Sequence, residues 1–396
     1  MANAPLACPP RIRTDASNAF AHHSMAVRVP AILDGVLRDN PEFSPAVSAA
    51  VAELRDAITE NREIPNLEPS APYADEWRAG LAARPEARWL AVDWFFAETY
   101  AYRQLIERVR YFATKRDPFL PTKREEYASP GHAEALEQAL SIEALPEERL
   151  LALFGAALFG NRMDLSFAAS RVRGTSADRE DLLLDDREPA TTLVLHGSGP
   201  IHVIADNAGT ELTLDLVLVD AFLELCDADV IVHVKVHPTF VSDAILEDVL
   251  GFLGLGQTGR FEPNLPPRGE ALRGRLRDAV TTGRLTVTPH AYWNGPLSLW
   301  DMPRELEEAF AAARLVVLKG DANYRRAVGD ALWPPETSFS SITSYFPAPL
   351  LALRTLKSDP ISGLPPGTAE ALDAIDPTWR VNGRRGIASL GGSHAV

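Results

Sequence analysis

Four short polar clusters, each just past an apolar run, hold the residues of this 396-residue chain best suited to chemistry. The first is Asp206-Asn207-Ala208-Gly209, after IHVIA. The second is Ser242-Asp243, after VIVHVKV and a short loop. Asp206, Asn207 and Asp243 offer oxygen donors, which suit a hard divalent cation such as magnesium or manganese. Gly209 permits a tight turn. Taken singly these signals are weak. Asp and Asn favour turns for local reasons, Ser242 or Asp243 can cap the helix that follows, and Glu211 also complements a helix dipole. The third cluster, Lys319-Gly320-Asp321-Ala322-Asn323-Tyr324-Arg325, follows RLVV and opens a helix. Lys319 brings a cation, Gly320 allows close backbone approach, and a helix N-terminus offers N–H groups to an anion. The fourth, Arg354-Thr355-Leu356-Lys357, follows LLAL and supplies a guanidinium fork and a point charge for phosphate.

These clusters need a scaffold that brings strand ends together. From Ala190 the chain reads as strand, turn, helix: IHVIA, VIVHVKV, RLTVT, RLVVLKG and PLLALRT are short β-rich runs with helical patterns between several of them. The expected fold is α/β, a mostly parallel sheet flanked by helices in three layers. In such a fold, residues past the carboxyl ends of neighbouring strands share one crevice. Asp243 lies one helix plus one strand beyond Asp206, so the two acidic turns can be neighbours. The N-terminal part reads as all-helical, with helices over Ser44–Asn61, Arg88–Thr114, His132–Ile142 and Pro146–Phe159. Asp117-Pro118-Phe119 breaks the long helix, since proline cannot continue the hydrogen-bond ladder. Glu98, Tyr102 and Arg103 inside that helix read first as helix–helix polar contacts and second as site residues. Asn161–Ser166 reads as a turn with an N-cap. The charged stretch Asp178–Glu188 reads as a solvated connector, giving a helical domain over 1–188 and an α/β domain over 189–396. The tail beyond Asp359 is expected to be loose.

The totals narrow the function classes. Net charge is −15 and the pI about 5.1, which argues against nucleic acid or an anionic membrane as main partner. A local basic pocket for a small phosphorylated metabolite remains open. Two cysteines, Cys8 and Cys226, are too few for a disulfide framework or a zinc cluster, and Cys226 reads as a core thiol. His233 and His237 flank Lys235 on one strand face, but a zinc site there needs further ligands. The N-terminus lacks a signal-peptide core and no run approaches the roughly 18 apolar residues of a membrane span, so the expected location is cytoplasmic. Nucleotide P-loop, dinucleotide-binding, D-x-D phosphatase and G-x-S-x-G hydrolase motifs are absent.

Together, DNAGTEL, KVHPTFVSD, LKGDANYR and LRTLK resemble the metal-dependent damage-control phosphatases, formerly a domain of unknown function family. The likeness is to the subgroup with an R-T-x-K motif, here Arg354 to Lys357, whose members are described as sugar phosphate phosphatases and acidic-residue methyltransferases. It extends to LFGNRMDLS, WFFAETYAYR and HHSMAVRVPAIL, nearly the whole chain. The resemblance implies a divalent metal, manganese first with magnesium, cobalt or nickel as alternatives, on Asp206, Asn207 and Asp243. It implies substrate contacts from Glu211, from Gly320, Asp321, Asn323 and Tyr324, and from Lys357, with Arg354 and Lys319 nearby. The leading expectation is hydrolysis of small phosphomonoesters such as fructose 1-phosphate. Asp206, Asp243 and Asp321 are the catalytic candidates. A methyltransferase of protein carboxylates using S-adenosylmethionine is the second reading, although no glycine-rich loop of the usual type precedes a helix. A non-catalytic metal- or phosphate-binding module is the third. The sequence leaves the oligomeric state open.

Overall fold

The computed structural model describes residues 6–160, 181–256 and 263–393. Continuous apolar runs make central strands when both sheet faces are covered, and the runs read above do so. The strands are β1 (Leu182–Asp185), β2 (Ile201–Ile204), β3 (Val230–Val234), β4 (Leu285–Pro289), β5 (Leu315–Lys319), β6 (Pro349–Thr355) and β7 (Gly386–Gly392). Across the sheet the order is β1-β7-β6-β5-β2-β3-β4. Neighbours from β6 to β4 pair in parallel, β7 is antiparallel to β6, and β1 is parallel to β7.

Strand alternation divides the apolar side chains between two cores. Val317, Leu351 and Leu353 join one, with Phe154 and Phe222 from the covering helices Pro146–Phe159 and Thr210–Leu225. Val316, Leu318 and Leu350 join the other, with Trp293, Phe310 and Trp379. The fold is therefore α/β, with helical layers on both faces of the sheet. From β2 the chain moves outward through β3 and β4, then returns to the far side of β2 with β5 and β6. The order reverses between β2 and β5, and the crevice past their carboxyl ends is where such folds bind ligands.

A third core, from Ile12 to Phe119, belongs to the N-terminal helices and surrounds the helix Trp94–Arg108. That helix is buried at every position from Trp94 to Ile106. It begins at Trp94 rather than Arg88 because the preceding segment pairs with extended chain. Thr14 N–H donates to the Val92 carbonyl (2.9 Å), and Glu63 bridges Arg88. The helices Pro130–Leu140 and Pro146–Phe159 pack instead into a core of the sheet.

Three further segments differ from expectation. Within the stretch read as a connector, Leu182–Asp185 is strand β1 and Arg187 starts a helix to His196, because the three leucines find β7 as a partner. The tail read as loose holds the helix Thr368–Ile375 and strand β7. The helix after Asp243 starts at Leu246, where Asp248 accepts the Ile245 N–H (3.0 Å); Ser242 is not its cap. Cys226 is half-buried beside the core, its thiol on the Phe222 carbonyl (3.0 Å). The expected turn at Asn161–Ser166 lies outside the described residues. Among the described residues no helix is long and apolar enough to cross a membrane.

Candidate functional site

The two acidic turns are knitted together by backbone. Asn207 and Asp243 form an isolated antiparallel bridge, Ala208 N–H donates to the Ser242 carbonyl (2.6 Å), and Ala244 N–H donates to the Asp206 carbonyl (2.7 Å). Asp206 and Asp243 thus face one space, both buried. Lys235, at the end of β3, reaches between them. Its Nζ lies 2.8 Å from Asp243 Oδ2 and 3.9 Å from Asp206 Oδ1. The Asn207 amide donates from Nδ2 to Asp206 Oδ2 (3.0 Å) and Glu211 Oε2 (2.9 Å), and its Oδ1 accepts from Ser242 Oγ (2.7 Å). Gly320, past β5, has φ +84°, and a Cβ there would overlap the Asp206 carboxylate. Glycine is required by both its backbone region and this approach.

The site carries more acid than it neutralises. Burial pushes the Asp206 carboxyl well above the usual range, and Asp243 and Glu211 add to the effect against Lys235 and Lys357. Burial also raises Asp243, with Lys235 opposing. Burial resists ionisation of Glu211 too, but Lys319, Lys357 and the Asn207 amide outweigh it and hold that carboxyl low. Desolvated carboxylates set side by side in this way are relieved by a bound cation. Among the described residues no three His, Cys, Asp or Glu side chains converge as a ligand set, so the third donor would be the Asn207 amide. The two carboxylates offer oxygens that fit a hard divalent cation, whereas Asn207 turns its Nδ2 toward Asp206 and Glu211 and its Oδ1 toward Ser242.

Most of the cations read as phosphate ligands are engaged inside the protein. Lys319 Nζ is buried against Glu211 Oε1 (3.0 Å), Asp215 Oδ1 (2.9 Å) and the Ala157 carbonyl (2.5 Å). Its hydrogen bonds go to Glu211 and Ala157, and the Asp215 carboxylate beside it completes the ion pairing. Asp215, behind it, is pushed up to about 7, mainly by burial. Arg354 is buried. It donates to Asp321 Oδ1 (2.7 Å), to the Pro360 carbonyl and to Ser358 (2.8 Å to the carbonyl, 3.0 Å to Oγ), and it lies 4.3 Å over the Tyr324 ring. Burial opposes ionisation of Asp321, yet Arg354 and Arg325 dominate and hold it below the usual carboxylate range. Asp321 also accepts the Lys357 N–H (3.3 Å) and Ser358 Oγ–H (3.0 Å). Tyr324 is buried with its hydroxyl on Ser362 Oγ (2.9 Å), and the Asn323 amide holds the Lys319 carbonyl (2.9 Å) and Ala205 carbonyl (3.3 Å).

Lys357 differs. It is exposed, makes no ion pair among the described residues, and lines a cleft of about 270 Å³ with Asn207, Glu211, Ser242 and Glu126. Of the sequence candidates, Asn207, Glu211 and Lys357 line this cleft, while Lys319, Asn323, Tyr324 and Arg354 lie behind it as support.

Sequence reasoning missed Lys235 as a partner of both acids, although a lysine inside an apolar strand run needs a carboxylate and so signals one. It also missed Lys123 and Glu126. Glu98 is a contact between helices: it pairs with Arg28 (2.8 Å) and Arg325 (2.7 Å). Arg103 pairs with Glu107 (2.6 Å) on its own helix. His233 packs on His202, Nε2 to Nδ1 2.8 Å, and His237 contacts Pro238 and Asn294.

Comparison with known proteins adds a family. The model of the damage-control phosphatase ARMT1-like domain matches residues 9–372. Among similar curated proteins, the mouse (Mus musculus) damage-control phosphatase ARMT1 is 30% identical over 338 residues, covering 78% of this chain and 76% of its own. The human (Homo sapiens) protein of that name is 26% identical, covering 94% and 96%. A DUF89 family crystal structure from Pyrococcus horikoshii aligns over 94% of this chain and 98% of its own, at 16% identity and a TM-score of 0.49. The chain belongs to the damage-control phosphatase ARMT1-like family.

Proposed function

We propose that this protein is a metal-dependent phosphomonoesterase acting on small sugar phosphates, with manganese as its first metal and magnesium, cobalt or nickel as substitutes. The observation that carries the reading is the desolvated Asp206–Asp243 pair at the β2/β5 crevice, beside a cleft that exposes Lys357. The names of its relatives, damage-control phosphatases, support the reaction class. A cleft of about 270 Å³ suits a small metabolite rather than a macromolecule. A cytoplasmic location goes with this reading, and a net charge of −15 favours a small phosphorylated partner over nucleic acid or an anionic membrane.

A divalent cation, when bound, neutralises phosphoryl oxygens and acidifies a water nucleophile. Asp206 and Asp243 would hold it, with the Asn207 oxygen joining once its amide turns over from Ser242. Lys357 grips the phosphoryl oxygens, where charge grows in the transition state. Asp321 sets the Lys357 loop through its main-chain N–H and Ser358, and acts through them. Glu211, kept ionised by Lys319, accepts hydrogen bonds from substrate hydroxyls. Asp243, which shares Lys235 with Asp206, orients the attacking water.

The test is phosphate release from a panel of sugar phosphates by metal-stripped protein resupplied with each cation. Release should depend on metal and fall at least about 100-fold in Asp206→Ala, beyond the ~10–100-fold typical of an outer-shell change. Full activity in that variant, or undiminished release without metal, would sink the reading.

A further inference from the structure

We propose that the helix Leu120–Tyr127 is a clip that sets the spacing of the two acidic turns, with Lys123 and Glu126 as positioning residues for the cation site. This rests on the metal-site reading above.

Lys123 and Glu126 stand three residues apart, on one face of the helix. Lys123 is buried. Its ammonium donates to the Asp243 main-chain carbonyl (3.1 Å) and Asp248 Oδ2 (2.7 Å), and lies 3.1 Å from Asp117 Oδ2. Two of its protons are thus placed in hydrogen bonds, and the Asp117 carboxylate adds a close ion pair. Asp117 ties this lysine to its own helix, because its Oδ1 accepts the Phe119 N–H (2.8 Å) where that helix begins. Asp248 ties it to the acidic turn, through the Ile245 N–H. Glu126 grips the other turn. Its Oε1 accepts the Thr210 N–H (2.9 Å), one of the unpaired donors at the start of the Thr210–Leu225 helix. Gly209, at φ +74°, leaves the space that the Glu126 carboxylate fills.

The two struts therefore end on opposite sides of the cation site. One holds the main chain of Asp243; the other holds the chain just past Asp206–Asn207. The Asp243 side needs such support. Phe240 (φ 46°) and Val241 (φ 72°) precede it in the left-handed region, an uncommon place for any side chain and costly for a β-branched one. A loop with that geometry persists when its surroundings fix it. Phe240 packs on Tyr102 (5.0 Å between rings), and Lys123 secures the next stretch from below. Glu126 also lines the cleft, so the clip is one of its walls.

A purely structural helix would affect unfolding and leave cation affinity alone. The experiment is calorimetric titration of metal-stripped protein with manganese, alongside thermal unfolding without metal. Lys123→Met is expected to weaken manganese binding about 10–100-fold, the range for outer-shell partners. That change strands two buried carboxylates and can prevent folding, so the deciding variants are at Glu126. Glu126→Ala should weaken manganese binding about 10-fold while the fold persists, and Glu126→Gln, which keeps an acceptor for Thr210, should recover most of it. If wild type binds manganese and Glu126→Ala binds it equally well, the clip is overturned alone. If wild type binds no manganese, the metal-site reading falls and the clip with it.

Discussion

The acidic and basic halves of the crevice use charge in opposite ways. Past β2 and β3, Asp206 and Asp243 are buried side by side with Lys235 as a shared counter-charge, and their carboxyls rise toward the protonated form. Past β5 and β6, Lys319 and Arg354 are fully engaged by Glu211, Asp215, Asp321 and Ser358. The acidic half keeps an uncompensated demand for positive charge. The basic half has met its own demand and leaves Lys357 for a ligand. Residue type placed both halves at one crevice; it is pairing that separates the side chains that build the site from those left open to a ligand.

That contrast breaks most visibly at Lys319. Lys319→Met leaves Asp215 buried without its counter-charge and takes from Glu211 one of its two partners, and should cost about 3–5 kcal/mol, read by urea or thermal unfolding. A variant as stable as wild type would show that the lysine is not a structural counter-ion. Lys357→Ala should do the reverse. Loss of one charge-assisted contact to phosphate raises KM about 10–100-fold, with unfolding free energy unchanged within about 0.5 kcal/mol. If Lys357→Ala unfolds early and retains its KM, the division drawn here is wrong.

Gly320→Ala sharpens the link between the halves. The backbone there is left-handed and the new methyl would overlap Asp206, so stability should fall by about 1–3 kcal/mol and manganese affinity with it. Normal metal affinity in a folded variant would mean that Asp206 can move without consequence.

A separate, pH-dependent effect lies away from the crevice. His202 and His233 stack inside the sheet, and burial lowers them to about 4 and about 3 from an ordinary 6.5. They are neutral in the folded chain and take up protons on unfolding below pH 6.5. Stability should therefore fall as pH drops from 6.5 toward 4, by up to about 1.4 kcal/mol per unit for each ring. His233→Phe should flatten that slope; an unchanged slope would remove the pair as its source.

How much of this was legible in the chain follows from what each residue answers to. Strands β2 to β6 answer to local apolar runs, and the acidic turns to the strand-turn-helix order, so both could be read. The segment Leu120–Tyr127 carries no apolar stripe, and its order comes from distant partners at Asp243, Asp248 and Thr210. Strand β7, GIASLGG, has little β propensity. Pairing along β6 and close approach of Gly391 to Thr343 make it a strand, and neither is written in its own residues. Whether Lys319 was a ligand or a counter-ion depended on Asp215, one turn beyond Glu211 on the same helix, which no motif singled out.

The central claim is that Asp206, Asn207 and Asp243 take up one divalent cation. Titrating metal-stripped protein with manganese in a calorimeter tests it most directly. The account predicts saturable binding of one ion per chain, lost in Asp206→Ala and in Asp243→Ala while both variants remain folded. Absence of saturable binding to folded wild type, or binding that survives both substitutions, would contradict it.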